Sequence, residues 1–138
     1  MAERVRLHKA SRGPKWKVIE EPLDIAEAIE TRCSSTEAVL VDCLTLWLSN
    51  VLLKEGEKEV PSRMDRLLAV IARRKQCLVM VANEVGTGVV PAYASGRTFR
   101  DYAGFLNQRI ASAADEVFFM IAGLPLRLKG GGKSPKMP

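Results

Sequence analysis

The sequence predicts an α/β fold with a mostly parallel β-sheet, on three observations. Three short runs, residues 38–44, 77–82 and 116–121, are rich in apolar and β-branched residues. Such continuous apolarity is typical of parallel strands that are covered on both faces. Segments with helical periodicity separate these runs, as expected for a sheet with helices on its faces. The length of 138 residues, 47% of them hydrophobic, suits a single domain.

The predicted elements begin with a basic segment. Residues 1–16 are rich in Lys and Arg and contain the turn signal Gly13-Pro14. Residues 17–21 are predicted to form a short strand. Pro22 suits a first helical position, and a short helical face follows. Its apolar members are Leu23, Ile25, Ala26 and Ile29.

The middle of the chain predicts a strand and two helices. Residues 38–44 form the strand, with an acid, Asp42, near its end. Residues 45–54 follow as an apolar helix. A capping-box pattern, Ser62 to Asp65, predicts the start of the next helix. Its apolar face comprises Met64, Leu67, Leu68, Ile71 and Ala72.

The second half predicts a strand, a loop and a long helix. Strand 77–82 ends in Asn83-Glu84, and the Gly-rich loop 86–97 follows. A second capping box, Thr98 to Asp101, predicts a helix that runs to about Ala114. Its face carries Tyr102, Leu106 and Ile110.

The chain closes with two predicted strands, 116–121 and 125–129, separated by a turn at Gly123. The domain is therefore expected to span residues 1–129. Residues 130–138 are rich in Gly, Lys and Pro, a composition that predicts a disordered tail.

Composition narrows the class of protein. The net charge of +5 favours an anionic partner, either a nucleotide or a nucleic acid. No run approaches the ~18 apolar residues of a membrane span, and the N-terminus lacks the apolar core of a signal peptide. Three separated cysteines without a CxxC motif indicate reduced thiols rather than a zinc site, so we expect a cytoplasmic protein.

Polar residues at the strand ends are the first candidates for a site, because open parallel sheets bind ligands beyond the carboxyl ends of their strands. Asp42 is placed to hold Mg²⁺ beside nucleotide phosphates, although many such acids only cap helices. Asn83 and Glu84 precede Gly86 and Gly88, which suit close approach to an anion or, equally, a flexible turn.

Two further features concern phosphate chemistry. The only GKS sequence, Gly132 to Ser134, has Arg127 where a Walker A motif needs its first glycine, so the phosphate loop is absent from these residues. His8 lies among cations that favour a neutral imidazole, the form that accepts a phosphoryl or guanylyl group. The alternative for His8 is an ordinary exposed histidine.

Several ordered segments together resemble one family. They are Val41 to Asn50, Asn83 to Pro91, Arg97 to Gln108, Ala113 to Val117 and Ala122 to Lys129. In this order and spacing they resemble the bifunctional adenosylcobinamide kinase / adenosylcobinamide-phosphate guanylyltransferase family. The resemblance covers residues 4–129 and is far more specific than any single motif. Asn83, Glu84, Arg97 and Arg100 fall within it as candidate contacts to substrate or phosphate.

The N-terminal segment is also similar to the family's R-h-x-x-H-x-x-x-R-P-x-x-W pattern, through Arg4, Val5, His8, Arg12 and Trp16. The resemblance implies that His8 receives GMP. It implies nucleotide contacts for Lys9, Ala10, Ser11, Arg12, Glu20 and Asp42, with Asp42 holding Mg²⁺ through the nucleotide. Gly13 stands where the family usually has proline, and Val18 where it usually has threonine.

The family resemblance implies a P-loop NTPase-like (RecA-like) sheet with flanking helices, truncated here at its N-terminus by roughly 30 to 40 residues, about one βα unit plus a strand. It implies ATP and GTP as substrates, adenosylcobinamide and its phosphate as acceptors, and a homo-oligomer, a trimer. Because the missing unit carries the Walker A loop, kinase activity is expected to be essentially absent and guanylylation of His8 strongly reduced.

Two alternatives remain open at this point. One is an inactive or partial domain of the same descent, which the absent Walker A loop favours. The other is a nucleic-acid-binding α/β module, which the positive charge favours. Against the second, aromatic residues make up only 6% of the chain and no RNA- or DNA-binding signature is present.

Overall fold

The computed structural model describes residues 15–131. Over these residues the chain is an α/β protein with a parallel pair of strands and flanking helices, as the alternating pattern predicts. The predictions for His8 and for residues 9–12 lie outside the described residues. Most of the tail predicted to be disordered, residues 132–138, lies outside them as well.

The segment ahead of the first helix differs from its prediction. Residues 17–21 pair with no described strand, so the expected short strand is wrong. The first helix, α1 (Ile25–Glu27), continues as a π-helical turn, Ala28–Arg32, and begins after Pro22 rather than at it. The side chain of Glu21 accepts hydrogen bonds from the two amides that precede α1, Leu23 (3.2 Å) and Asp24 (3.0 Å). This turn delays the start of the helix.

Strands β1 (Ala38–Asp42) and β2 (Cys77–Val81) pair in parallel, with Ala38 opposite Cys77 and Asp42 opposite Val81. Both strands were predicted, but burial on both faces is wrong for the described residues. The side chains alternate between half-buried and exposed along each strand. Val39, Val41, Leu78 and Met80 pack against the core, whereas Leu40, Val79 and Val81 are exposed. Among residues 15–131, the helices cover one face of this pair.

Two helices connect β1 to β2. Helix α2 (Leu44–Lys54) matches its prediction within one residue, and a 3₁₀ turn, Glu57–Glu59, leads into α3 (Val60–Arg73). The predicted capping box at Ser62 is wrong, because α3 begins two residues earlier and has no side-chain cap. Pro61 lies in its first turn, where a missing backbone N–H costs no helical hydrogen bond.

Helix α4 (Ala94–Ala113) follows the Gly-rich loop. Its C-terminal end matches the prediction, but its start lies four residues before the predicted capping box at Thr98. The amide of Arg97 already donates to the carbonyl of Tyr93 at 3.2 Å, so the loop backbone itself provides the first turn. A helix that starts this way needs no capping side chain at Thr98.

The last two strands form a hairpin. Strands β3 (Val117–Ile121) and β4 (Leu124–Lys129) are antiparallel and are joined by a two-residue turn. Ala122 (φ 50°) and Gly123 (φ 79°) both adopt left-handed backbone conformations in this turn. Instead of a single mostly parallel sheet, the described residues therefore contain a parallel pair and a separate antiparallel hairpin.

The core lies where the helices meet the inner face of the parallel pair. Leu48, Val51, Val60 and Leu67 have no exposed surface, and they come from α2 and α3. Leu106 of α4 closes the same cluster at 1% exposure. None of the helices within residues 15–131 combines the length and the apolarity that crossing a membrane requires. This helical layer fixes the sheet and thereby the loops at its carboxyl edge.

Candidate functional site

The carboxyl ends of β1 and β2 form one edge, and candidate polar residues meet there. Asp42 is the last residue of β1 and lies opposite Val81, the last residue of β2. Asn83 follows β2 two residues later, and its amide donates to the hydroxyl of Thr45 at 2.7 Å. The structure therefore brings Asp42 and Asn83 to the same edge, as the sequence predicts for parallel strands.

Asp42 lies directly before helix α2 and is exposed. The next residue, Cys43, caps the helix, with its Sγ accepting from the amide of Leu46 at 3.4 Å. The N-terminus of a helix carries partial positive charge and favours anions such as phosphate. A carboxylate beside that end suits a cation that is shared with a phosphate.

The edge contains a carboxylate, that of Asp42, whose suitability for Mg²⁺ can be considered. Within the part of the chain that the structure describes, no three His, Cys, Asp or Glu side chains come together as a metal cage. Mg²⁺ commonly keeps several waters and binds one or two carboxylates together with substrate phosphates. Asp42 is a carboxylate of the kind that Mg²⁺ binds in this way.

The Gly-rich loop that leaves this edge folds back on itself at its start. Glu84 is exposed, and its Oε1 accepts from the amide of Gly86 at 2.6 Å. A Cβ at Gly86 would lie 2.7 Å from the same oxygen, so a larger residue there would displace the Glu84 carboxylate from this position. The sequence left two alternatives open for these glycines, close approach to an anion and a flexible turn. At Gly86 the structure shows a formed turn in which the backbone N–H is directed at a carboxylate.

The other end of the loop is held by Arg97. Its Nη1 donates to the carbonyls of Pro91 (3.1 Å) and Ala92 (2.7 Å). Gly96 passes close to the same segment, where an added Cβ would lie 2.8 Å from the Cβ of Pro91. Arg100, another candidate contact, lies in α4 like Arg97 and is half-buried.

Glu20 is exposed in the segment ahead of α1, outside the helices and strands. The sequence analysis did not single out Thr45, which shapes the edge, or the close approach of Gly96 to Pro91. The signal for Thr45 is a hydroxyl three residues after the strand-ending acid, in the first turn of α2. Gly96 has no comparable signal, because its close neighbour Pro91 is met only in the folded loop.

A separate open cavity of about 250 Å³ lies between α3 and α4. Its lining includes Tyr102 and Phe105, whose rings meet edge to face with centroids 6.4 Å apart. Desolvation, and then the nearby carboxylate of Glu57, raise the pKa of the Tyr102 phenol. None of the candidate nucleotide or substrate residues lines this cavity.

Comparison with known proteins places the chain among biosynthetic enzymes. The sequence model of the family described as cobinamide kinase / cobinamide phosphate guanyltransferase matches residues 1–128. A bifunctional adenosylcobalamin biosynthesis protein, CobP of Pseudomonas aeruginosa, is 38% identical over 130 residues, which cover 94% of this chain and 75% of that protein.

Two further relatives match a similar share of the chain. The bifunctional adenosylcobalamin biosynthesis protein CobU of Escherichia coli is 32% identical over 142 residues, and its counterpart in Salmonella typhimurium is 33% identical over 142 residues. Each match covers 94% of this chain and 78% of the relative. The chain thus spans about three quarters of the length of these relatives.

Proposed function

The chain belongs to the cobinamide kinase / cobinamide phosphate guanyltransferase family, and from this we propose that it acts in cobalamin biosynthesis. The proposed reactions are phosphorylation of adenosylcobinamide and transfer of GMP from GTP to adenosylcobinamide phosphate. The observation that carries the proposal is the parallel-strand edge at which Asp42 and Asn83 both lie, within a chain that the family matches from residue 1 to residue 128.

In the proposed GMP transfer, His8 is the nucleophile. A neutral imidazole nitrogen attacks the α-phosphorus of GTP, a P–N bond forms, and pyrophosphate leaves with the electrons of the broken P–O bond. A phosphate oxygen of adenosylcobinamide phosphate then attacks the same phosphorus. The P–N bond breaks, the imidazole is regenerated, and GMP is joined to the acceptor through a diphosphate link.

The proposed binding roles follow from charge. Lys9 and Arg12 would stabilise negative charge at the α-phosphate, and the Ala10-Ser11 backbone would line the nucleotide. Glu20 would accept hydrogen bonds from guanine N1 and N2, or from the ribose, with guanine the better fit. Asp42 would hold Mg²⁺, whose charge would neutralise the triphosphate. Asn83, Glu84, Arg97 and Arg100 remain candidates for contact with the acceptor substrate or its phosphate.

The proposal also concerns the fold of the whole protein, its phosphoryl donor and its oligomeric state. We propose a P-loop NTPase-like (RecA-like) fold, supported by a parallel strand that ends in Asp42 beside a helix N-terminus. ATP or GTP would donate the phosphoryl group in the kinase reaction. The protein would act as a cytoplasmic homo-oligomer, a trimer, without nucleic acid.

The test of GMP transfer uses the purified 138-residue chain with α-³²P-GTP and Mg²⁺. We expect acid-labile, base-stable label on the denatured protein, as a phosphoramidate requires, and its loss in His8→Ala. Asp42→Asn should reduce labelling by roughly 10²-fold or more, because the nucleotide loses its metal-holding carboxylate.

The outcomes separate the alternatives. Equal label in wild type and His8→Ala would move the acceptor to another residue, and no label in either would contradict GMP transfer by these residues. Transfer from γ-³²P-labelled ATP or GTP to adenosylcobinamide measures the kinase separately. We predict that it is the weaker activity, because the 138 residues contain no Walker A motif.

A further inference from the structure

The loop between β2 and α4, residues 83–93, is held at both ends although most of it is exposed. At its start, the Asn83 amide bonds to Thr45, and Glu84 bonds to the amide of Gly86. At its end, Nη1 of Arg97 donates to two successive carbonyls. Hydrogen bonds of this kind reduce the conformations open to a loop, so its outer residues are presented in fewer arrangements.

Three large hydrophobic side chains of this loop are exposed. Val89 is 94% exposed, Val90 58% and Tyr93 81%. Two adjacent valines and a tyrosine on a braced loop offer little to a triphosphate, which is bound by cations and N–H groups. They suit a large ligand with apolar faces instead, because contact would remove their surface from water.

The position of the loop decides which of the two proposed substrates it meets. The loop leaves the sheet at the edge that carries Asp42. The nucleotide needs the charged groups of that edge, and cobinamide, a corrin macrocycle with extensive apolar surface, needs an adjoining apolar surface. The loop continues from the edge and provides one.

We propose that Arg97 is a positioning residue, which holds the 83–93 loop so that Val89, Val90 and Tyr93 contact the cobinamide acceptor. This inference rests on the proposed function. Arg97 acts through the carbonyls of Pro91 and Ala92 and need not touch the acceptor itself. The nucleotide is bound without the loop's apolar residues, so the two substrates depend differently on Arg97.

The positioning role is tested first on the ligand-free chain by hydrogen–deuterium exchange. Arg97→Ala removes both bonds to the loop, and we expect the hydrogen-bonded amides at its two ends, those of Asn83, Gly86 and residue 97, to exchange about tenfold faster. Arg97→Lys retains a donor of similar reach and should restore much of the protection. Arg109→Ala is the matched control, because Arg109 lies in the same helix and pairs instead with Asp65 at 2.6 Å.

The contact is tested by equilibrium dialysis with cobinamide, which is followed by its visible absorbance, and with GTP in parallel. We expect Arg97→Ala to weaken cobinamide binding about tenfold while GTP binding changes by less than about twofold. Arg97→Lys should recover most of the cobinamide affinity. A Val89→Ser, Val90→Ser double variant should weaken cobinamide binding with normal loop exchange, which separates contact from positioning.

Each outcome bears on one part of the proposal. Unchanged loop exchange in Arg97→Ala would overturn the positioning role, whatever the binding of cobinamide and GTP. Equal weakening of GTP and cobinamide would overturn the assignment of the loop to the acceptor. If the wild-type chain binds GTP but no cobinamide, the acceptor contact is wrong and nucleotide binding stands. If it binds neither substrate, the proposed function itself fails, while the exchange result still decides the role of Arg97 in the loop.

Discussion

A small number of side chains builds the candidate edge. Thr45 reaches from the first turn of α2 to the amide of Asn83 at 2.7 Å, and so joins the segments that follow β1 and β2. Without this bond the amide at the start of the loop would need another acceptor. The hydroxyl of Thr45 therefore fixes Asn83 relative to Asp42, although it carries no chemistry of its own.

At the same scale, Glu21 predicts a pH-dependent contribution to stability. Its carboxylate accepts from the amides of Asp24 and Leu23 and pairs with Arg32 at 2.6 Å, which together lower its pKa below the usual 4.5. A lowered folded-state pKa means that this contribution is complete above the unfolded-state value and is lost as the pH falls through the folded-state value.

We therefore expect Glu21→Gln to reduce the free energy of unfolding by about 1 kcal/mol near neutral pH. The difference from wild type should shrink below about pH 4.5 and vanish in more acidic solution. Urea unfolding across this pH range measures it, with Glu37→Gln, an exposed carboxylate, as control. A difference that is constant with pH would show that the carboxylate charge is not responsible.

At the scale of elements, the apolar residues of α2 fall into a buried group and an exposed group. Leu48 is completely buried in the core, whereas Leu46 on the same helix is 61% exposed. The indole of Trp47 donates to the carbonyl of Leu23 at 2.8 Å and so ties α2 to the segment ahead of α1. The orientation of α2 is thus set by its buried face and one polar contact.

This division predicts different costs for the same substitution. Leu48→Ala should lower the free energy of unfolding by about 2 to 5 kcal/mol, because it leaves a cavity in a packed core. Leu46→Ala on the same helix should change it by less than about 0.5 kcal/mol. Denaturant unfolding of the two variants decides this, and equal effects would mean that α2 is rotated relative to the structure.

At the scale of the whole molecule, Arg63 connects three segments of the chain. Its guanidinium bonds to Glu55, at the end of α2, with one distance of 2.8 Å, and also to Asp24 ahead of α1. The bonds to Glu55, and then to Asp24, raise the pKa of Arg63 against the opposing effect of burial. The cation therefore stays charged and holds α1, α2 and α3 together.

Removing this connection should lower the stability of the entire fold. We expect Arg63→Ala to cost about 1 to 3 kcal/mol of unfolding free energy, a range reduced for the 22% exposure of the side chain. The control is Arg73→Ala, in the same helix, whose side chain is 70% exposed and pairs with Glu30 in a surface bridge. A similar small effect in both would show that the network contributes nothing beyond ordinary surface pairs.

The sequence alone determined the kinds and order of most elements. Apolar runs and helical periodicity predicted β1, β2, β3, α2 and the end of α4, because burial imposes these patterns on any chain. The strand-ending position of Asp42 and the adjacent Asn83-Glu84 followed from the same reasoning. The family could be recognised because its residues keep their order and spacing along the chain.

Only the tertiary structure decided the helix starts, the pairing of the strands and the bracing of the site. Local patterns at Ser62 and Thr98 predicted caps, but the helices begin earlier, where turns and backbone bonds already satisfy their first residues. The contacts from Thr45 to Asn83 and from Arg63 to Asp24 join residues 38 and 39 positions apart. Such contacts leave no periodic trace in a sequence, because folding alone brings the partners together.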